Sequence, residues 1–210
     1  MGLLKTALLF LGCALLSTTA SAKMPIPTST PIVLGDETSI PAGWIDFCAR
    51  YEGECPASDT ALMVVLNPDV WQLLNRINTI VNEKVAPIED IDHWGVVDRW
   101  DYPLDGRGDC EDYVLLKRKL LIEAKFPASA VLPTVVASVR VVDGKLVSEH
   151  HAVLTLITST GDYILDNLDP DVRPWTWTGY GFVKRLSPLD PAVWLDIIQP
   201  MPAAVASIKK

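Results

Sequence analysis

At 210 residues and 23.0 kDa the chain is long enough for one apolar core, which directs attention to a single active surface. Its composition, 49% hydrophobic and 21% charged, is that of a globular protein and excludes a disordered one. A formal charge of −8 and a pI near 4.8 set most of the surface against a phosphate backbone, so no nucleic acid partner is expected.

Residues 1–22, MGLLKTALLFLGCALLSTTASA, combine Lys5, an apolar run from Ala7 to Leu16 and the small triplet Ala20-Ser21-Ala22, the layout of a cleaved export signal. The run falls short of the roughly 20 apolar residues a spanning helix needs, so no integral membrane segment is expected in the mature chain. Cys13 offers a second option, a lipoprotein cysteine, against which Phe10-Leu11-Gly12 is a poor lead-in. Loss of the signal removes Lys5 and leaves 17 basic against 26 acidic residues, a charge of −9. An exported location follows.

Residues 23–43, rich in Pro, Thr and Ser, read as an extended arm, wrapped over the domain or partly disordered. In DFCARYEGECP, Cys48 and Cys55 stand close together with Gly53 between them, and an oxidising compartment predicts a local disulfide. Asn67 and Pro68 then supply an N-cap and a first helical residue. Val70, Leu73, Leu74, Ile77, Ile80 and Val81 continue as an amphipathic stripe. A loop dense in acids and aromatics, EDIDHWGVVDRWDYPLDGRG, leads to a second helix that starts at or beside Cys110. Its apolar stripe reads as Tyr113, Leu116, Leu120 and Ala124, with Lys117, Arg118 and Lys119 turned mostly outward as a solvated face. From Ala130 the period changes to that of strands. VLPTVVASVRVV, Asp143-Gly144, KLVSEHHAVLTLI, a turn over 159–162 and YILDN read as successive antiparallel hairpins. Helices first and strands later make the fold class α+β. The stretch DPDVRPWTWTGYGF, with Trp175, Trp177, Tyr180 and Phe182, reads as a covered sheet edge or a substrate-binding rim.

Pairing Cys48 with Cys55 leaves Cys110 alone. A thiol at a helix start faces unpaired N–H groups and the positive end of the helix dipole, which favour thiolate, the nucleophilic form. Such a cysteine is either reactive or structural. A reactive one needs a base, and the histidines are His93, in the loop, and His150 and His151, on a strand. Alternation puts His151 on one face with Val153, Thr155 and Ile157, and His150 on the other. Asp166, at the end of YILDN, is 15 residues from His151, a spacing suited to a hairpin in which the carboxylate accepts Nδ1–H and leaves Nε2 for the thiol. The midpoint of that spacing precedes the turn signal, so a bulge or a long loop is expected. Asp109 and Asp112 read either as a helix cap with its third-position acid or, with Glu111, as ligands for a hard cation. Uncompensated, these carboxylates would raise the pKa of the thiol. Trp94 and Trp100 either line the cleft or pack in the core.

HWGVVDRWDYPLDGRGDCEDYVLLKRKLL, HHAVLTL and YILDN resemble the bacterial transglutaminase-like cysteine proteinases. The similarity covers roughly residues 44 to 200, taken as the peptidase domain, with 201–210 as a C-terminal tail. It implies a papain-like or transglutaminase-like fold, N-terminal helices packed on an antiparallel sheet. It also implies a Cys110 nucleophile, a His151 base and an orienting Asp166, with calcium at Asp109, Glu111 and Asp112. The Cys48 and Cys55 pair also resembles members of this family. By that resemblance the protein is a periplasmic thiol protease whose substrate is a protein of the large surface adhesin kind, linked to biofilm attachment and under an inner-membrane regulatory protein. Two alternatives share the residues: acyl transfer to an amine, as in transglutaminases, and a calcium-dependent binding module without turnover.

Overall fold

The computed structural model describes residues 25–142 and 145–198. The expected export signal with Cys13, the expected Asp143-Gly144 turn and the expected C-terminal tail lie outside the described residues. Among the described residues no helix is long and apolar enough to cross a membrane.

The first long helix is α2, Pro68–Lys84, after α1, Ala42–Arg50. It starts where the sequence predicts: Asn67 Oδ1 accepts the N–H groups of Asp69 and Val70, each at 2.9 Å, and Pro68 fills the first turn. The buried stripe is Trp71, Leu74, Ile77, Asn78 and Val81, while Val70, Leu73 and Ile80 sit half-buried at its margins. Helix α4, Cys110–Glu123, packs on α2 and on the sheet. Its stripe differs from the expected one. Val114, Leu115, Lys117, Arg118 and Leu121 are buried, and Ala124 is exposed. Lys117 and Arg118 are only 1% and 4% exposed, so the basic run is not a solvated face. Arg118 is drawn in because its guanidinium donates to the carbonyls of Val131, at 3.2 Å, and Glu54, at 3.1 Å, beside the aliphatic stem's apolar neighbours.

The sheet is built from β1, Val33–Thr38; β4, Val131–Val142; β5, Lys145–Thr158; β6, Gly161–Leu165; β7, Arg173–Pro174; β8, Gly181–Leu186; and β9, Trp194–Ile198. The spatial order is β1-β9-β8-β4-β5-β6-β7, antiparallel throughout. A separate parallel pair, β2, Ala86–Pro87, with β3, Arg107–Gly108, ties the end of α2 to the residues just before Cys110. Between them lies a short helix, α3, Asp90–His93.

Period-two alternation divides the sheet into two buried faces. Val131, Ala152, Leu154, Leu156, Tyr163 and Leu165 pack with α2 and α4. Val136, Val153, Ile164 and Phe182 pack with Ile32, Trp175 and Ile197. Each fully buried aliphatic side chain contributes about 2 kcal/mol by leaving water. The N-terminal arm lies along the molecule from residue 25 onward. Ser29 donates to the Asp162 carbonyl at 2.6 Å, and Ile32 N–H donates to the Asp162 carboxylate at 2.9 Å. Arg185 meets the same carboxylate at 3.0 Å, both side chains being 4% exposed. Gly161, at φ +117, lets the arm pass, since a Cβ there would come within 2.5 Å of the backbone of Ser29 and Thr30.

The predicted disulfide joins Cys48 to Cys55. Its loop is tied to α4 and to the acidic loop through Glu54, whose carboxylate accepts Lys119 Nζ at 2.9 Å and the Tyr102 hydroxyl at 2.8 Å.

Candidate active site

Cys110 is the first residue of α4 and the free cysteine among the described residues, half-buried. Its Sγ lies 3.4 Å from the N–H of Ala152, which donates to it, so the sulfur sits against β5 one residue from His151. On its other side the thiol lies 3.3 Å from Glu111 Oε2 and donates to it. Burial, the charge of Glu111 and that of Asp109 together push the thiol well above its ordinary pKa, while the Ala152 N–H pulls it down.

His151 is buried and His150 exposed, as alternation requires. His151 Nε2 lies 2.8 Å from Asp166 Oδ1. Three donors, the His151 ring, the Leu168 N–H at 3.0 Å and the Tyr180 hydroxyl at 2.7 Å, overcome desolvation and lower the pKa of Asp166. An ionised Asp166 can only accept, so Nε2 donates this hydrogen bond. The expected tautomer is thereby reversed: Nε2, not Nδ1, faces the acid.

The β5–β6 register explains how the pair meets. Leu154 pairs with Leu165, so one further step sets Asp166 opposite Val153, with His151 two residues along on the same face. The contact is a diagonal one, and the β5–β6 ladder needs no bulge. The turn after Leu165 is fastened to α2 by three asparagines. Asn82 Nδ2 donates to the Asp166 carbonyl at 2.8 Å, Asn78 Nδ2 to the Asp169 carbonyl at 2.9 Å, and Asn75 Oδ1 accepts the Val172 N–H at 3.1 Å. Beneath this turn, burial lowers the Lys117 amine to about 7, and the charge of Asp166 opposes that fall.

The acids beside Cys110 do not cap α4. Asp109 occupies the N-cap position without a side-chain capping bond, and its Oδ2 accepts the Asp90 N–H at 3.3 Å instead. Asp112 Oδ1 accepts the Asp101 N–H at 2.7 Å. The capping reading fails because both carboxylates face the preceding loop. There they meet Asp90, which no local pattern singles out and which also accepts the Arg99 N–H. Asp90, Asp109 and Asp112 each offer an oxygen within 4.8 Å of the others. Glu111 turns to the thiol and, with Asp109, to the edge of this cluster. Burial raises all four, and repulsion from neighbouring acids adds to it: Asp90, beside Asp98, moves upward, Asp109 to about 6, Asp112 to about 8 and Glu111 to about 10. Asp109 Oδ1 is buried with no hydrogen-bond partner. Gly108 makes room for the group, since a Cβ there would stand 2.7 Å from Asp112 Cβ. Oxygen-only donors, mutually repelling, with an orphaned lone pair among them, fit a hard divalent cation. Asp101 is in the same loop but is already compensated, by Arg50 at 3.0 Å, Arg99 at 3.1 Å and the Tyr51 hydroxyl.

Other sequence candidates fall elsewhere. His93 pairs with Asp105 at 2.9 Å and stacks on Trp94. Trp100 is a core residue in edge-to-face contact with Trp44 and Trp194, whereas Trp94 is 42% exposed under Arg99. Trp175 is buried beside the short edge strand β7, in keeping with a covered edge, but Tyr180 from the same stretch reaches Asp166.

A thiol at a helix start held on the N–H of Ala152, the residue after a histidine that is paired with a carboxylate, offers the residue types that thiol hydrolases use. Residues 34–201 match the model of the bacterial transglutaminase-like cysteine proteinases, BTLCP, and the chain belongs to this family of cysteine peptidases. Its α+β architecture, helices packed on an antiparallel sheet, is the one expected of that family. Among solved structures it is similar to LapG of Legionella pneumophila. The calcium-bound form aligns at 22% identity and TM-score 0.45, over 55% of this chain and 64% of that one. A second LapG structure aligns at 23% and 0.46, over 58% and 66%. The EGTA-treated form aligns at 22% and 0.46, over 63% and 69%. The alignment thus spans about two thirds of the length of those chains. No curated protein matches the sequence.

Proposed function

We propose that the chain is an exported, calcium-dependent cysteine peptidase of the periplasm in which Cys110, His151 and Asp166 form the catalytic triad. The observation that carries the reading is the pair of contacts that hold Cys110 Sγ on the Ala152 N–H and His151 Nε2 on Asp166. With Nε2 protonated, Nδ1 is the free base, able to take the thiol proton and later give it to the leaving amine. Sulfur then attacks the scissile carbonyl, and backbone N–H groups hold the developing oxyanion. Expulsion of the amine leaves a thioester, which water hydrolyses with His151 again as base.

The residues that would hold the metal are Asp90, Asp109 and Asp112, with Glu111 at their edge. A bound calcium ion supplies positive charge that neutralises these carboxylates. One LapG structure of Legionella pneumophila is calcium-bound, and this chain's acid cluster suits the same ion. Glu111 then ceases to be a competing acceptor for the thiol, and the helix dipole acts on the sulfur without opposition. The Cys48–Cys55 disulfide fits an oxidising compartment, and the export signal fits periplasmic delivery. Large surface adhesins are the proposed substrates and an inner-membrane protein the proposed regulator, on the strength of the family resemblance.

The test is digestion of large co-exported surface proteins by wild type and Cys110→Ala, each with calcium and with chelator. Cleavage is expected only for wild type with calcium. An added primary amine should leave the products as free carboxylates; amide products would identify acyl transfer. Equal cutting by Cys110→Ala would refute the mechanism.

A further inference from the structure

We infer that Tyr180 is a positioning residue for the thiol–imidazole pair, its hydroxyl fixing the Asp166 carboxylate while its ring walls the His151 imidazole. The inference rests on the triad reading above and extends it to a residue on a distant strand connection.

The sheet register brings Tyr180 there. Phe182 of β8 pairs with Val136 of β4, and Val136 pairs with His151 of β5, so these three lie in one row across the sheet. Tyr180, two residues before Phe182, projects to the same side and stands diagonally across β4 from His151. Gly179, at φ +76, makes the turn that reverses the chain, and Thr178 Oγ1 accepts the Tyr180 N–H at 3.4 Å. The hydroxyl donates to Asp166 Oδ2 at 2.7 Å, the oxygen that His151 does not use. The ring lies 5.6 Å from the imidazole, tilted by 56°. Asp166 therefore has its Oδ1 engaged by His151 and the Leu168 N–H, and its Oδ2 by Tyr180, which fixes the carboxylate plane. Rotation of that plane would release Nε2 and let the imidazole swing Nδ1 away from the sulfur. Burial and the neighbouring Asp166 raise the phenol pKa, so it remains a donor across the working pH range. Tyr180 does not touch the thiol or the scissile bond; it acts through Asp166.

The experiment follows alkylation of Cys110 by iodoacetamide in calcium buffer between pH 5 and 9, read by peptide mass mapping in the full chain. It compares wild type, Tyr180→Phe, Asp166→Asn and the double variant, with thermal midpoints as the folding control. Wild type should keep a fast rate near pH 6, where an ordinary thiol is almost inert. Tyr180→Phe should lose about fivefold or more at that pH with its midpoint unchanged, since the ring is retained. Asp166→Asn should lose more, and the double variant should be no slower than Asp166→Asn alone, because the tyrosine works only through the acid. A wild-type profile for Tyr180→Phe, or additive losses in the double variant, would overturn the inference and leave the triad intact. A wild-type Cys110 with the profile of an unfolded thiol would instead remove the triad reading and this inference with it.

Discussion

Asp166 and Asp112 are both aspartates buried to within a few per cent, yet they titrate in opposite directions. Asp166 is surrounded by donors from this chain, His151, Tyr180 and Leu168, and stays ionised below the usual carboxylate range. Asp112 receives one backbone N–H but faces Asp90 and Asp109, and is pushed up to about 8. One region supplies its own compensation; the other is built to receive it from outside. Burial alone does not set the state of an acid; what fills the space in front of it does.

The contrast predicts a ranking. Asp166→Asn should cost roughly a thousandfold in kcat, because a neutral amide does not stabilise the imidazolium that forms when His151 takes the thiol proton, with little change in KM in steady-state cleavage assays. An undiminished kcat would mean that the self-compensated acid is structural. Asp162, paired with Arg185, tests the stability side. Asp162→Ala leaves Arg185 buried without its partner and frees Ile32 N–H, and should destabilise by about 3 kcal/mol in urea denaturation.

In the uncompensated cluster the sign should reverse with conditions. Asp112→Asn keeps an oxygen for the Asp101 N–H and removes a repelling charge. In chelator it should therefore stabilise by at least about 1 kcal/mol, and in calcium it should be less stable than wild type. Destabilisation under both conditions would show that Asp112 is not held against repelling neighbours.

The pH dependence follows from the same raised values. Asp109 at about 6 and Asp112 at about 8 bind protons more tightly folded than unfolded, where aspartate titrates near 4. In chelator the folded state then holds the greater number of protons, and stability should fall as pH rises from about 4 to 8. Calcium competes with those protons, so its gain in thermal midpoint should grow over the same window. A calcium effect independent of pH would place the ion elsewhere.

Much of this arrangement is legible in the sequence because it is local. Asn67-Pro68 announces α2 through its own hydrogen bonds, and alternation along SEHHAVLTLI separates His151 from His150 without reference to any other strand. Cys110 at a helix start is local as well. The acids beside it mislead for the same reason: spacing alone suggests a cap, whereas a partner 19 residues upstream, Asp90, turns them away from the helix. The helix face of Lys117 and Arg118 inverts because the carbonyl acceptors of Arg118 come from the disulfide loop and β4, and period cannot reveal them. The His151 tautomer depends on a diagonal register, and Tyr180 on the β8-β4-β5 order. GYG, in a stretch read as an edge, carries no signal for either.

The most direct test of the account is the thiolate absorbance of Cys110 near 240 nm, titrated as wild type minus Cys110→Ala, in calcium and in chelator. In chelator the midpoint should lie above that of an ordinary thiol, because burial and Glu111 disfavour the anion. Calcium should lower it by more than about one unit as the acids are neutralised. An identical midpoint with and without calcium would contradict the claim that the acid cluster governs the nucleophile.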